Sequence, residues 1–429
     1  MKEDFLHYLW KFQKFDKTHL FTEQGEKIKV FQAGFHNQDQ SGPDFFNARL
    51  SIEAQMWAGN VEIHLKSSDW YTHHHETDQA YDSVILHVVW EHDVEVYRKD
   101  NSVLPTLSLA KIVDENTLVS YQNLMKKGQK WINCEHFFPQ LDNSLLHMWI
   151  ERLYVERLES KASHISALAK TSNYNWESVA FHVIAKNFGL NVNGDYFFQL
   201  AQSISFSLIQ KYSHDQLQLE ALLLGQANLL EDSEDTYVKN LFKEYSYLQQ
   251  KHQLVPLLNK PQFFRLRPPN FPSIRLVQLA SLYNKRPNLF SDLMKAKSKK
   301  EIASLMQVEV SNFWKTHYHI SSESKPSKKK LTSKMIDLFI INTIIPLKFA
   351  YQKYLGNTDI SEDIWKIMRN LASENNSIVN KFDDLKSGIA NSAVESQALI
   401  HLKKNYCDRL ACLKCSIGLN LLKQNDTRN

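Results

Sequence analysis

Metal-dependent hydrolysis of a phosphodiester needs hard oxygen ligands for a divalent cation and a group that positions or activates a water beside the phosphorus. Residues of those types gather in one stretch of the chain. Gly42-Pro43-Asp44 precedes an alternating segment, and Glu62, His64 and Lys66 follow at a spacing of two. Asp69, the run His73, His74 and His75, and His87 lie just beyond, with Trp57 and Trp70 flanking them. On a strand, that spacing puts Glu62, His64 and Lys66 on one face and Val61, Ile63 and Leu65 on the other. If the strand after Asp44 is the antiparallel neighbour of the strand carrying Glu62, both carboxylates come within the span of one Mg²⁺ or Mn²⁺. His64 or Lys66 then orients the water and contacts the phosphate of DNA or RNA. The plain alternative has Asp44 capping a turn and the polar face of the strand meeting water.

Three other groups carry chemistry. His73 and His75 supply a zinc site together with His64 or His87, since imidazole suits Zn²⁺ and three consecutive histidines cannot all face one ion. Trp57 and Trp70 either stack on a base or pack. Arg265, Arg267 and Arg275 border the proline-stiffened run Arg267-Pro268-Pro269-Asn270-Phe271-Pro272. They clamp a phosphate or, the preferred reading, pair with acids of the first domain. Near the C-terminus, Cys407, Cys412 and Cys415 include a pair with two residues between its members, half of a zinc or iron–sulfur site. Cys134, His401 or Asp408 is available to complete it, and buried thiols packing a last helix are the alternative.

The elements that must position these residues follow from periodicity. Phe5, Leu9 and Phe12, with Leu6 and Trp10 beside them, predict a short amphipathic helix. Strands are expected from Ile28, over Phe45 to Glu53, Trp57 to Lys66, Ser83 to Trp90, and Leu104 to Leu109 at an edge. A loop rich in Gly, Asn, Gln, Asp and Ser spans Gly34 to Pro43. From about residue 116 the pattern turns helical, as in Leu145 to Leu168 and Met335 to Tyr354. The expected fold class is therefore α+β: a small α/β domain over 1–115, a helical domain over 116–260, and a second helical subdomain over 261–429 that bears the cysteines.

Composition narrows the classes. The chain has 429 residues, 43% hydrophobic and 23% charged, which is the usage of globular rather than disordered proteins. Lysine and arginine exceed the acids only 51 to 47, so the net charge of +4 does not itself indicate a nucleic-acid binder. The most apolar segment, Phe339 to Tyr351, is broken by Asn342, Pro346 and Lys348 and is too short to cross a bilayer. With no signal-length apolar run at the start and only four cysteines, the expectation is a soluble cytoplasmic protein with no membrane partner.

Pro43-Asp44 followed by Glu62-Ile63-His64 resembles the motif of the restriction-endonuclease-like nuclease superfamily, a Pro-Asp pair and then acid, any residue, lysine. Here histidine stands in the lysine position, and Lys66 lies one strand repeat further on. The resemblance implies that Asp44 and Glu62 hold the metal, and that Glu3 is the auxiliary acid of the first helix. The chain also looks like an uncharacterised family of conserved Bacteroidetes proteins. That resemblance rests on Gly42-Pro43-Asp44-Phe45, Trp57 through His64, Ser68-Asp69-Trp70, Tyr81 through Val89, Leu224-Gly225-Gln226-Ala227, the Arg267 to Pro272 string, and Tyr406-Cys407 with Cys412 and Cys415. It departs at Asn228, where glycine is expected, and it implies no activity. Two functions remain in view. One is a metal-dependent nuclease. The other is a non-catalytic nucleic-acid-binding or protein-interaction scaffold, with a degenerate first domain and a helical region that recruits a protein partner.

Overall fold

A computed structural model describes residues 1–37, 41–126, 130–231 and 233–426. They form two compact units, Met1–Trp149 together with Leu402–Asn429, and Ile150–His401. The first unit is a mixed α/β layer and the second is almost entirely helical. Among the described residues, no helix is long and apolar enough to cross a membrane.

The first unit opens with helix α1 (Glu3–Phe12), whose Phe5, Leu6, Leu9 and Trp10 are fully buried. A six-stranded sheet follows: β1 (Ile28–Gln32), β2 (Phe35–His36), β3 (Phe45–Ile52), β4 (Gln55–Lys66), and, after the short helix α2 (Asp69–Thr72), β5 (Val84–Glu91) and β6 (Thr106–Ser108). The spatial order is β1-β3-β4-β5-β6, with β2 also paired to β3. The β1, β3 and β4 pairings are antiparallel, whereas β4-β5 and β5-β6 are parallel. Helix α1 packs on β4 and β5. Part of the expected loop between Gly34 and Pro43, residues 38–40, lies outside the described residues.

The polar face of the strand carrying Glu62 does not meet water there, as the plain alternative had it. Val61, Glu62, Ile63 and His64 are all buried, because β4 is a central strand with helices and a loop over it. Two irregularities flank this stretch. The β3-β4 register shifts between Phe45 and Ala48, and the β4-β5 register shifts between Asn60 and Val61. Asn47 takes the shift in a left-handed conformation, φ 58°, and its N–H donates to Asn60 Oδ1 at 3.2 Å. Asparagine tolerates that conformation better than other side chains, and such bulges re-aim the side chains next to them.

Helix α3 (Glu115–Met125) is capped by Asp114, which accepts from Thr117 N–H. Helix Ser416–Asp426 packs against it, so the last segment of the chain belongs to the first unit. In the second unit helices follow one another up to Ala393–His401, with one short hairpin, His317–His319 with Ser322–Glu323. The apolar segment around Phe339 runs as Ser333–Phe339, a wider turn over Ile340–Ile344, and Ile345–Tyr354. Lys329 is 9% exposed, and its ammonium lies 3.9 Å from the Tyr318 ring centre.

Gly59 shows how tightly the sheet closes at the site. A Cβ there would sit 2.4 Å from Ile85 Cγ2 and 2.7 Å from the Ser83 carbonyl oxygen. Gly59→Ala is expected to destabilise the protein by about 1–3 kcal/mol through overpacking. A lowered urea midpoint with an unchanged slope reads this directly, and an unaltered midpoint contradicts it.

Candidate metal centre

Antiparallel pairing of Phe45 with Val61 sets Asp44, just ahead of β3, opposite Glu62. Each acid is then held by the other's strand. Asp44 N–H donates to Glu62 Oε2 at 3.1 Å, and Ile63 N–H donates to Asp44 Oδ2 at 3.0 Å. Helix α1 adds Glu3 and His7, four residues apart and so on one face. His7 Nε2 lies 3.3 Å from Asp44 Oδ2 and 3.8 Å from Glu3 Oε1. One ligand atom from each of Glu3, His7 and Asp44 falls within 4.8 Å of the others, a set able to hold a metal ion.

A second set, of imidazoles, adjoins the first through Glu62. His64 Nε2 is 3.1 Å from His73 Nδ1 and 3.5 Å from Glu62 Oε1, and His75 Nε2 is 3.4 Å from that same oxygen. His64, His73 and His75 also meet the 4.8 Å condition for a metal-binding group. His64 Nδ1 and His87 Nε2 lie 2.8 Å apart, so the ring that faces Glu62 is braced from behind. Local backbone geometry sorts the three consecutive histidines. His74 turns out in the left-handed region at φ 60°, leaving His73 and His75 on the site side. Tyr81 stacks on the His75 ring with centres 3.7 Å apart. A pocket of about 300 Å³ opens beside His75, between Trp70, Tyr81, Arg98 and Lys99.

The electrostatics are those of a site short of positive charge. Burial, and then the charge of Asp44, push the Glu62 carboxyl far above the usual carboxylate range. Burial works against a charge on His7, but the neighbouring Asp44 and Glu3 carboxylates outweigh it and raise His7 to about 9. Burial, with His75 and His73 close by, holds His64 down to about 3. His75 is lowered by burial, and fully buried His87 is lowered well below its ordinary value for the same reason. Around neutral pH, His64, His75 and His87 are therefore uncharged, the form in which imidazole ligates metal.

A family model described as a protein of unknown function, DUF2851, matches residues 3–377. The chain belongs to that family. The match takes in Glu3 and every residue of both ligand sets, and it stops before Cys407. Comparison with curated proteins gives no match, and comparison with solved structures gives none.

The remaining residues singled out in the sequence are placed less uniformly. Lys66 follows the shared face but its ammonium, 53% exposed, lies 3.9 Å from Glu91 and 4.0 Å from Asp93 rather than beside Glu62. Trp70 is 2% exposed and packs on Val84, Val96 and Leu104, so its ring is not open to a base. Trp57 is half-buried on β4 opposite Leu50. In the second unit, Arg267 is exposed before the Pro268–Asn270 turn. Arg275 is 7% exposed, and its guanidinium is engaged by Gln278 and Asn270. Cys407, Cys412 and Cys415 line one small cavity, and Cys134 joins them. Sequence reading missed His7. Its signal was a histidine one turn after Glu3 on the helix that also carries the buried aromatics.

Both raised groups have the same sign of linkage to stability. A group with an elevated folded-state pKa contributes most below its ordinary value and loses that contribution as pH rises through the elevated one. For His7 that window runs from its ordinary value of 6.5 to about 9. Chelator-treated protein is expected to lose denaturant resistance across this range, and His7→Gln to flatten the decline. A midpoint that holds level or rises with pH contradicts this account.

Proposed function

We propose that the chain is a divalent-metal-dependent nuclease that hydrolyses phosphodiester bonds of DNA or RNA, with Asp44 and Glu62 as central metal ligands. The observation that carries this reading is the reciprocal bonding of the two acids, Asp44 N–H to Glu62 and Ile63 N–H to Asp44. It brings together the Pro-Asp and Glu-x-His parts of a restriction-endonuclease-like motif on adjacent strands. The donor set fits a divalent ion. Glu3, Asp44 and Glu62 offer hard oxygens for Mg²⁺ or Mn²⁺, and the histidines extend the choice toward Zn²⁺. A bound ion supplies a water of lowered pKa and offsets the charge that builds on the phosphate.

The chain's own groups divide the remaining work. Asp44 and Glu62 hold the ion, with Glu3 and His7 beside them. His64 stands where the superfamily has lysine, and burial keeps it neutral. It therefore acts as a ligand or as a hydrogen-bond acceptor that orients the water, and it cannot replace a lysine ammonium against phosphate. Lys66, near Glu91 and Asp93, has a lesser role. His64, His73, His75 and Glu62 Oε1 fit a second ion, because their neighbouring donors lie 3.1–3.5 Å apart. Ligands bonded to a tetrahedral ion at about 2.0–2.1 Å are separated by roughly 3.3 Å. Two ions clamping the attacking and leaving oxygens is an established way to catalyse in-line displacement at phosphorus.

The test is cleavage of duplex and single-stranded DNA and RNA by the full-length protein with Mn²⁺, Mg²⁺ or chelator. Asp44→Ala and Glu62→Ala are each expected to lower the rate on the order of 100-fold or more, and Lys66→Ala to leave most of it. Activity that survives both acid substitutions sinks the assignment. Nucleic-acid binding without turnover in any metal supports the scaffold reading instead. Calorimetric titration addresses the imidazole set: His73→Ala should lose Zn²⁺ binding there while Mn²⁺ binding persists.

A further inference from the structure

All four cysteines of the chain converge on one place, although one of them is far from the others in sequence. Cys134, Cys407, Cys412 and Cys415 line a single cavity of about 20 Å³, together with Leu124, Asn133, Leu402, Tyr406, Ile417 and Gly418. No disulfide joins them. Thiols that merely pack as small apolar groups close on one another, since protein interiors leave few voids.

The backbone around the thiols is shaped for the approach. Cys407 ends the wide turn Leu402–Cys407, and Cys412 begins a tight turn, Cys412–Lys414, that brings Cys415 back beside it. Ala411 N–H donates to the Tyr406 carbonyl at 2.9 Å, and Cys415 N–H donates to the Cys412 carbonyl at 3.2 Å. Helix Ser416–Asp426 lies directly on that turn. A Cβ at Gly418 would sit 2.1 Å from the Cys412 carbonyl oxygen, so glycine is needed there. Asn133, beside Cys134, directs its side-chain N–H to Cys412 Sγ at 3.8 Å. Amide donors of this kind are found around metal-bound sulfur.

We propose that Cys134, Cys407, Cys412 and Cys415 are the four ligands of a thiolate metal centre, separate from the hydrolytic site, that fastens the C-terminal segment to the first unit. The donors are all sulfur and the cavity wall is otherwise largely hydrocarbon, which selects a thiophilic centre, either Zn²⁺ or an iron–sulfur cluster, over Mg²⁺ or Mn²⁺. Neither reading of the carboxylate and imidazole sets is needed for this inference. Coordination proceeds with loss of the thiol protons to solvent as the sulfur–metal bonds form. The fold gains a tie between positions that are remote along the chain, where loop closure costs the most entropy.

The experiment is metal and acid-labile sulfide analysis of full-length protein purified without oxygen, in a His73→Ala/His75→Ala background that removes the imidazole set. One zinc per chain without sulfide, or iron with matching sulfide and broad visible absorption, supports the centre and says which kind it is. Cobalt substitution of a zinc form should add thiolate charge-transfer absorption. Cys134→Ser is expected to lose the metal and, by loosening the backbone around them, to make Lys403, Lys404, Arg409 and Lys414 cleavable by trypsin. Because that variant can fail to fold, metal is also stripped from the Cys-intact protein, which should show the same new cleavages while keeping its circular dichroism. Protein that holds neither zinc nor iron and takes up neither on reconstitution overturns the proposal. Full metal content in a folded Cys134→Ser protein also overturns it.

Discussion

Two hydrogen bonds between neighbouring strands, Asp44 N–H to Glu62 and Ile63 N–H to Asp44, hold a buried carboxyl, Glu62, against a partly buried one, Asp44. Uncompensated, that arrangement is costly, since a charge on Glu62 is out of water and beside its like. The protein answers in part by protonation of Glu62 and by a charged His7, and both are displaced far from their ordinary values. A purely structural site gains little from such a conflict, because apolar residues fill the same space without it. A divalent cation resolves it outright, which is why the site makes physical sense as a metal centre.

The rest of the first unit keeps that conflict in place. The register shift at Asn47, tied to Asn60, lets β3 arrive with Asp44 facing Glu62 rather than one residue out of step. Helix α1 contributes His7 only because its apolar face is sunk in the sheet. The imidazoles depend on a different support. Ser67 and Ser68 bond to Asp93 and anchor the start of α2. Trp70 packs beneath the following turn, so the histidine turn is set by a small core of its own.

Much of this was legible in sequence, and the exceptions share a cause. The strands at Phe45–Ile52, Gln55–Lys66 and Val84–Glu91 were visible from alternation and β-branching, and the helical second part from its spacing. Local pattern also singled out Asp44, Glu62 and His64. It does not report what covers a strand, so the buried polar face of β4 looked solvated. Nor does it report which helix crosses a sheet, and His7 carried no motif to mark it. Trp70 illustrates the converse. An aromatic beside polar residues reads equally as a stacking platform or as a packing residue, and only its contacts with Val84 and Leu104 decide. The return of the segment after Leu402 to the first unit is a long-range contact, beyond any window of periodicity.

Two donor sets able to hold a metal ion thus adjoin in one unit, oxygens with one imidazole at Asp44 and imidazoles beside a shared Glu62 oxygen at His64, while the four thiols line a cavity of their own. Affinity for a given divalent ion follows donor softness and geometry more than charge alone. A lysine at position 64 would leave the first set intact but remove the second, since an ammonium offers no lone pair to a metal. Histidine at position 64 therefore keeps a nitrogen donor beside Glu62 that lysine would not supply.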